Sequence, residues 1–208
     1  MKVSNNNLKL KILGIQDYKK TWASMLNTIL SRSKDDPDEV WVLEHPPVFT
    51  LGFGASRENL LIKNIIPVVR SDRGGEVTYH GPGQLVVYFM LNLRRLGWGP
   101  KKLVNELEEL IIGLLKQYEI PSYRKPKEPG VYVEQKKIAS IGLKIKRGYS
   151  YHGLSLNVKM DLKPFENINV CGNKSLQVTH LSNFKDISLD QVKTDLLKLI
   201  KERFASLR

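Results

Sequence analysis

Arg73-Gly74-Gly75-Glu76-Val77-Thr78-Tyr79-His80-Gly81-Pro82-Gly83-Gln84 is the densest special segment of the chain. Four glycines and a proline in a dozen residues allow tight turning and a close backbone approach to a ligand. Arg73, Thr78, Tyr79, His80 and Gln84 add hydrogen-bonding groups. Composition alone reads it as a surface loop, because Gly and Pro mark turns. It lacks the G-x-x-x-x-G-K-[ST] order of a phosphate loop and contains no G-x-G-x-x-G fingerprint.

Outward from it, apolar and β-branched runs predict strands. These are Leu8 to Leu13, Val40 to Leu43, Gln84 to Leu93, Val131 to Val133, Ile138 to Ile145 and Tyr151 to Val158. In the last, alternation puts His152, Leu154, Leu156 and Val158 on one face. Three segments have helical spacing: Asp17 to about Arg32, Pro100 to about Tyr118, and one opened by a Ser188/Gln191 capping-box pattern. Pro100 suits a first helical turn. Many strands with a few separated helices predict a single α+β domain over 1–208, its sheets mixed and largely antiparallel, with 1–7 a frayed lead-in.

The 208 residues carry 33 Lys+Arg against 21 Asp+Glu, a net +12. Lys116 to Arg147 holds nine basic residues against Glu119, Glu128 and Glu134. Such a run is either a solvated lysine-rich face or a patch that steers an acidic partner. No nucleic-acid-binding signature accompanies it, so no nucleic-acid partner is expected. No stretch approaches the ~20 apolar residues of a membrane span, and the N-terminus lacks a secretory h-region. One cysteine excludes an internal disulfide and fits a reducing, cytoplasmic compartment. That cysteine and His45, His80, His152 and His180 show no metal-ligand spacing; neither metal nor cofactor is expected.

The central segment resembles the signature of the bacterial octanoyltransferases of lipoate synthesis: R-G-G, two residues, T-[aromatic]-H-G-P-G-Q, then an apolar strand. Further blocks resemble the family in its order. They are Glu44-His45-Pro46-Pro47-Val48-Phe49-Thr50-Leu51-Gly52, Gly130-Val131-Tyr132-Val133, Lys137-Ile138-Ala139-Ser140-Ile141-Gly142, His152-Gly153-Leu154-Ser155-Leu156-Asn157 and Cys171-Gly172. The resemblance implies the catalytic fold of biotin and lipoate protein ligases. It implies an acyl pocket lined by Arg73, Gly74, Gly75, Glu76, Val77, Thr78, Tyr79, His80, Ser140, Ile141, Gly142, Gly153, Leu154 and Ser155. Cys171 would carry the acyl thioester, with Lys137 as its basic partner. The donor implied is octanoyl-acyl carrier protein. The acceptors implied are lipoyl domains of 2-oxoacid dehydrogenases and the glycine-cleavage H protein.

The residues suit those roles chemically. A free thiol has a pKa of about 8.5, and a nearby cation lowers it. Lys137 either supplies that cation or, if neutral, takes the thiol proton. Thioester exchange is near-isoenergetic and aminolysis of a thioester is downhill, so ATP is not required. Gly172 leaves an unobstructed N–H beside the nucleophile for an oxyanion. Each residue also has a plainer reading. A lone Cys is often a small buried hydrophobe. His80 could be a structural hydrogen-bonder, His45 structural, His152 a core histidine or cavity wall, and Tyr79 merely packed. Val170 stands where the family commonly has Pro. An ATP-dependent ligase of the same fold and a non-enzymatic basic binding module are the competing readings.

Overall fold

The computed structural model describes residues 8–61, 65–169, 172 and 175–205. Among the described residues, ten strands and four α-helices follow one another. They are β1 (Leu8–Ile15), α1 (Tyr18–Ser31), β2 (Asp38–Glu44), β3 (Val48–Leu51), β4 (Val68–Arg70), β5 (Val77–His80), β6 (Gln84–Met90), α2 (Leu93–Leu96), α3 (Pro100–Gln117), β7 (Tyr123–Lys125), β8 (Glu128–Val133), β9 (Lys136–Lys146), β10 (Tyr149–Asn157) and α4 (Leu189–Phe204).

A seven-stranded sheet has the order β1-β2-β6-β10-β9-β8-β7, and a three-stranded sheet the order β4-β3-β5. β1–β2 and β3–β4 pair in parallel, and every other ladder is antiparallel. The α+β expectation holds. Residues on β6 alternate between two apolar layers, as a pleated strand buried on both faces must. Leu85, Val87 and Phe89 join Leu103, Leu107, Ile111, Leu196 and Ile200 of α3 and α4 in the main core. Val86, Tyr88 and Met90 face the other way, toward Met25 and Ile29 of α1.

The helix ends follow their sequence signals. Asp17 caps α1 by accepting from the Lys20 amide, and Pro100 opens α3. Ser188 caps α4 through the Gln191 amide, but the Gln191 side chain turns to Asp195 and leaves the capping box half built. The strand expected over Gln84 to Leu93 stops at Met90, and the short α2 follows, capped by Asn92.

The Arg73-to-Gln84 segment is not a surface loop. Its centre is β5, buried throughout and paired with β3. The smaller sheet seats this segment against the larger one: the Gly74 amide donates to the Leu143 carbonyl of β9 at 2.8 Å.

Candidate active site

A cavity of about 560 Å³, counting its open mouth, lies between the two sheets. Residues from separate parts of the chain line it: Tyr18 of α1; Arg73, Gly75, Glu76, Val77, Thr78 and His80; Val86 and Tyr88 of β6; Pro129; Lys137, Ser140, Ile141 and Gly142 of β9; and His152, Gly153, Leu154 and Ser155 of β10. Twelve of the sequence-derived pocket residues are therefore gathered at one place, together with Lys137. Gly74 and Tyr79 are not on its wall. Gly74 clips the loop to β9, and Tyr79 packs on the far side of β5 against Phe49 and Phe165. Tyr18, Val86, Tyr88 and Pro129 join the wall although no motif in the sequence points to them.

Arg73 holds the segment in shape. Its guanidinium donates to the Thr50 hydroxyl and carbonyl, to the Gly74 carbonyl and to the Glu76 carbonyl, at 2.7 to 3.1 Å. The planar donor fork thus joins β3 to both sides of the turn.

Lys137 is 1% exposed, although it follows the exposed-looking Lys136. Its ammonium donates to the Pro129 carbonyl at 3.0 Å and lies 5.1 Å from the centre of the Tyr132 ring. Gly130 makes room for it. A Cβ there would stand 2.4 Å from the Ala139 carbonyl oxygen and 3.3 Å from Lys137 Nζ, on a backbone with φ +136°. The main chain of Lys137 is tied to the C-terminal segment by Lys137 N–H to the Gln177 carbonyl and Thr179 N–H to the Lys137 carbonyl.

Cys171 and Val170 lie outside the described residues. Gly172 lies near the cavity mouth: a Cβ built on it falls 3.6 Å from Asn59 Nδ2 and 3.9 Å from the Glu76 carboxyl carbon. Asn59 donates to Glu76 at 3.3 Å, and Asn169 N–H donates to the Asn59 carbonyl.

Away from the mouth the wall is a buried network of histidines and tyrosines. His80 Nδ1 meets Gln84 Oε1 at 2.7 Å. The Gln84 amide nitrogen donates to the Tyr79 carbonyl and to Asn157 Oδ1, whose own amide donates to the Thr179 carbonyl. Both amides are thereby oriented, so His80 carries its proton on Nδ1 and leaves Nε2 as an acceptor. Burial pushes the His80 pKa down to about 3, and His45 adds to the shift. His45 bridges the Gln16 carbonyl and the Tyr88 hydroxyl, and burial takes its pKa down to about 4. Tyr18 stacks on His80 and donates to Ser71.

His152 departs from the expected alternation. Its φ of +59° turns the ring to the Tyr88 side of the sheet, away from Leu154 and Leu156. There it stacks on Tyr151, and its Nε2 meets Asp72 Oδ1 at 2.8 Å. Tyr151 donates to the same carboxylate. Burial alone raises the Asp72 pKa, but these two hydrogen bonds outweigh it and hold the carboxyl below its usual range. The next residue must be glycine: a Cβ on Gly153 would stand 2.0 Å from the Val87 carbonyl oxygen of β6.

Among the described residues no cluster of three potential metal ligands occurs, and no helix is long and apolar enough to cross a membrane.

Lipoate-protein ligase A, solved with ATP bound, superposes with a TM-score of 0.79 at 17% identity, over 94% of this chain and 84% of that one. Biotin protein ligase from Aquifex aeolicus gives 0.56 at 18% identity, over 94% and 68%. The fold is that of the lipoate and biotin protein ligases. Residues 17–201 match the model of the lipoyl protein ligase A/B catalytic domain. An octanoyltransferase of Vibrio vulnificus (strain CMCP6) is 50% identical over 200 residues, covering 94% of this chain and 92% of that protein. One from Pseudomonas putida (strain GB-1) is 50% identical over 190 residues, covering 91% and 88%. The chain belongs to the lipoyl protein ligase A/B catalytic domain family, on its octanoyltransferase branch.

Proposed function

We propose that this protein moves an octanoyl group from octanoyl-acyl carrier protein to the target lysine of lipoyl domains, through a thioester on Cys171. The observation that carries the reading is one cavity that gathers Lys137 with residues of the Arg73 segment and of β9 and β10, with Gly172 beside its mouth residue Glu76. The family relationship supplies the octanoyl group.

In the first half-reaction the Cys171 sulfur attacks the carrier thioester carbonyl. The carrier's thiol leaves with the electron pair and takes a proton. In the second, the acceptor lysine nitrogen attacks the Cys171 thioester, the amide C–N bond forms, and the Cys171 sulfur leaves. Lys137 serves as the cation or proton carrier for the sulfur in both steps. One thioester is exchanged for another and then for an amide, so the sequence runs without ATP. A working free thiol suits a reducing compartment such as the cytoplasm.

The basic surface beside the mouth supports an acidic carrier as donor. Lys125 ends β7 and Lys127 lies in the turn to β8, which leads directly into the cavity residue Pro129. Lys144, on the neighbouring β9, holds its ammonium 5.4 Å from the ring of Phe53, which is 80% exposed. Arg124 and Arg147 are partly engaged elsewhere, with Glu109 and the Leu30 carbonyl.

The test is ATP-free transfer from octanoyl-carrier to a lipoyl domain, with an octanoic acid plus ATP reaction as the alternative arm. Transfer only in the second arm would place the chain with the ATP-dependent ligases instead.

A further inference from the structure

The cavity has two unlike ends. Glu76 and Pro129, which keep solvent exposure, mark the mouth, with Lys137 close by through its bond to the Pro129 carbonyl. The closed end is the buried part of the wall, to which Tyr18, His80, Val86, Tyr88 and His152 contribute. Strand register sets the two ends apart. The Lys137 ammonium lies at the Pro129 carbonyl and beside Gly130, which pairs with Ser140; His152 pairs with Leu143, three positions further along β9, or roughly 10 Å at the rise of a strand. An acyl group attached near Lys137 therefore directs its tail, not its carbonyl, toward the His152 end.

That end is not an apolar plug. His152 is 1% exposed and Nδ1 of its ring is buried with no hydrogen-bond partner; the Thr78 hydroxyl on the same cavity is likewise buried and unpartnered. The ring is fixed there by Asp72 on its other nitrogen, by Tyr151 beneath it and by the positive φ of its own backbone. Tyr88 is fixed by His45. An alkyl chain long enough to press on these atoms offers neither a hydrogen bond nor room. A shorter chain stops before them.

We propose that His152, positioned by Asp72 and backed by Tyr88, is the chain-length stop of the acyl cavity, and that it excludes acyl tails longer than octanoyl by a polar as well as a steric wall. This rests on the acyl-transfer reading above.

The experiment compares kcat/KM for hexanoyl, octanoyl, decanoyl and dodecanoyl groups presented on acyl carrier protein, in the wild type and in two variants. Wild type is expected to fall by about tenfold or more for each step beyond octanoyl, the scale of discrimination available to an apolar pocket. His152→Leu, which removes the polar atoms, should raise the dodecanoyl-to-octanoyl ratio by about tenfold or more. Val86→Leu, which fills the closed end from β6, should shift the preference toward hexanoyl. A merely structural role would lower all chain lengths together and leave the ratios unmoved. A wild type that accepts dodecanoyl as well as octanoyl overturns the proposal whatever the variants do. So do ratios unchanged within twofold in a variant that melts like wild type. A wild type that transfers no acyl group from any carrier overturns the acyl-transfer reading itself, and this inference with it.

Discussion

The His80 Nδ1 nitrogen stands 2.7 Å from the Gln84 side-chain oxygen, four residues along the same segment. The contact looks local, yet Gln84 is held by Asn157 and Asn157 by the Thr179 carbonyl. Thr179 N–H in turn donates to the Lys137 carbonyl. A single chain of hydrogen bonds thus connects the histidine wall to the backbone of the buried lysine. Asn157→Leu removes one acceptor of the buried Gln84 amide, leaving it the Tyr79 carbonyl, and takes the Asn157 donor from the Thr179 carbonyl; it is expected to cost about 1–3 kcal/mol. Chemical denaturation measures this, and a loss below about 0.5 kcal/mol would show that the chain does not hold the site.

His80 and His45 make stability depend on pH in a defined direction. Their folded pKa values of about 3 and about 4 lie below the ordinary histidine value near 6.5, so the unfolded chain binds protons first. Their contribution is complete above pH 6.5 and is lost as pH falls toward 4 and 3. Each proton costs about 1.4 kcal/mol per pH unit, so roughly 2 kcal/mol per histidine should disappear between pH 6.5 and 5. Denaturant midpoints at the two pH values test it. A protein equally stable at both would mean that these rings titrate normally.

Gly130→Ala should damage the site from behind. The added carbon meets the Ala139 carbonyl oxygen at 2.4 Å and crowds the Lys137 ammonium, on a backbone that disfavours a side chain. The expected result is about 2 kcal/mol or more of lost stability and a fall in acyl transfer larger than stability explains. Activity measured well below the melting temperature separates the two. Full activity in a folded variant would detach the Lys137 position from turnover.

Charge reversal at Lys125, Lys127 and Lys144 should raise KM for the carrier-bound donor about tenfold or more at low salt, with a smaller effect at high salt. The same variant should use octanoyl-pantetheine as well as the wild type does. An unchanged KM for the carrier would place its docking surface elsewhere.

The sequence carried the large elements because their periodicity is strong. The apolar faces of α1, α3 and α4 and six of the seven strands of the large sheet could be read from spacing; the three-residue edge strand β7 could not. The small sheet could not. Val48–Leu51 and Val77–His80 are four-residue strands, buried on every position and set among Gly and Pro, so they have neither length nor alternation to show. Alternation puts His152 on the wrong face because it assumes ordinary strand dihedrals, and the φ of His152 is +59°. Most pocket residues were legible through the family signature. Tyr18 and Tyr88 were not, because they reach the cavity from elements remote in sequence. The face shared by Gln84, Val86 and Tyr88 on β6 was the available clue to the latter.

Lys137 gives the plainest contrast. In the sequence it is one of two adjacent lysines; in the fold Lys136 is half-exposed and Lys137 is among the largest fully buried side chains. Burying an ammonium without use is costly. The central claim is that this lysine serves an acylated Cys171. Intact mass spectrometry after brief incubation with octanoyl-acyl carrier protein tests it most directly. One octanoyl increment is expected on the wild type, removable by hydroxylamine and discharged by a lipoyl domain without ATP. That thioester should be absent from Cys171→Ser and strongly reduced in Lys137→Met. A wild type that modifies the lipoyl domain while never carrying the increment, or a Cys171→Ser variant with full activity, would contradict the account.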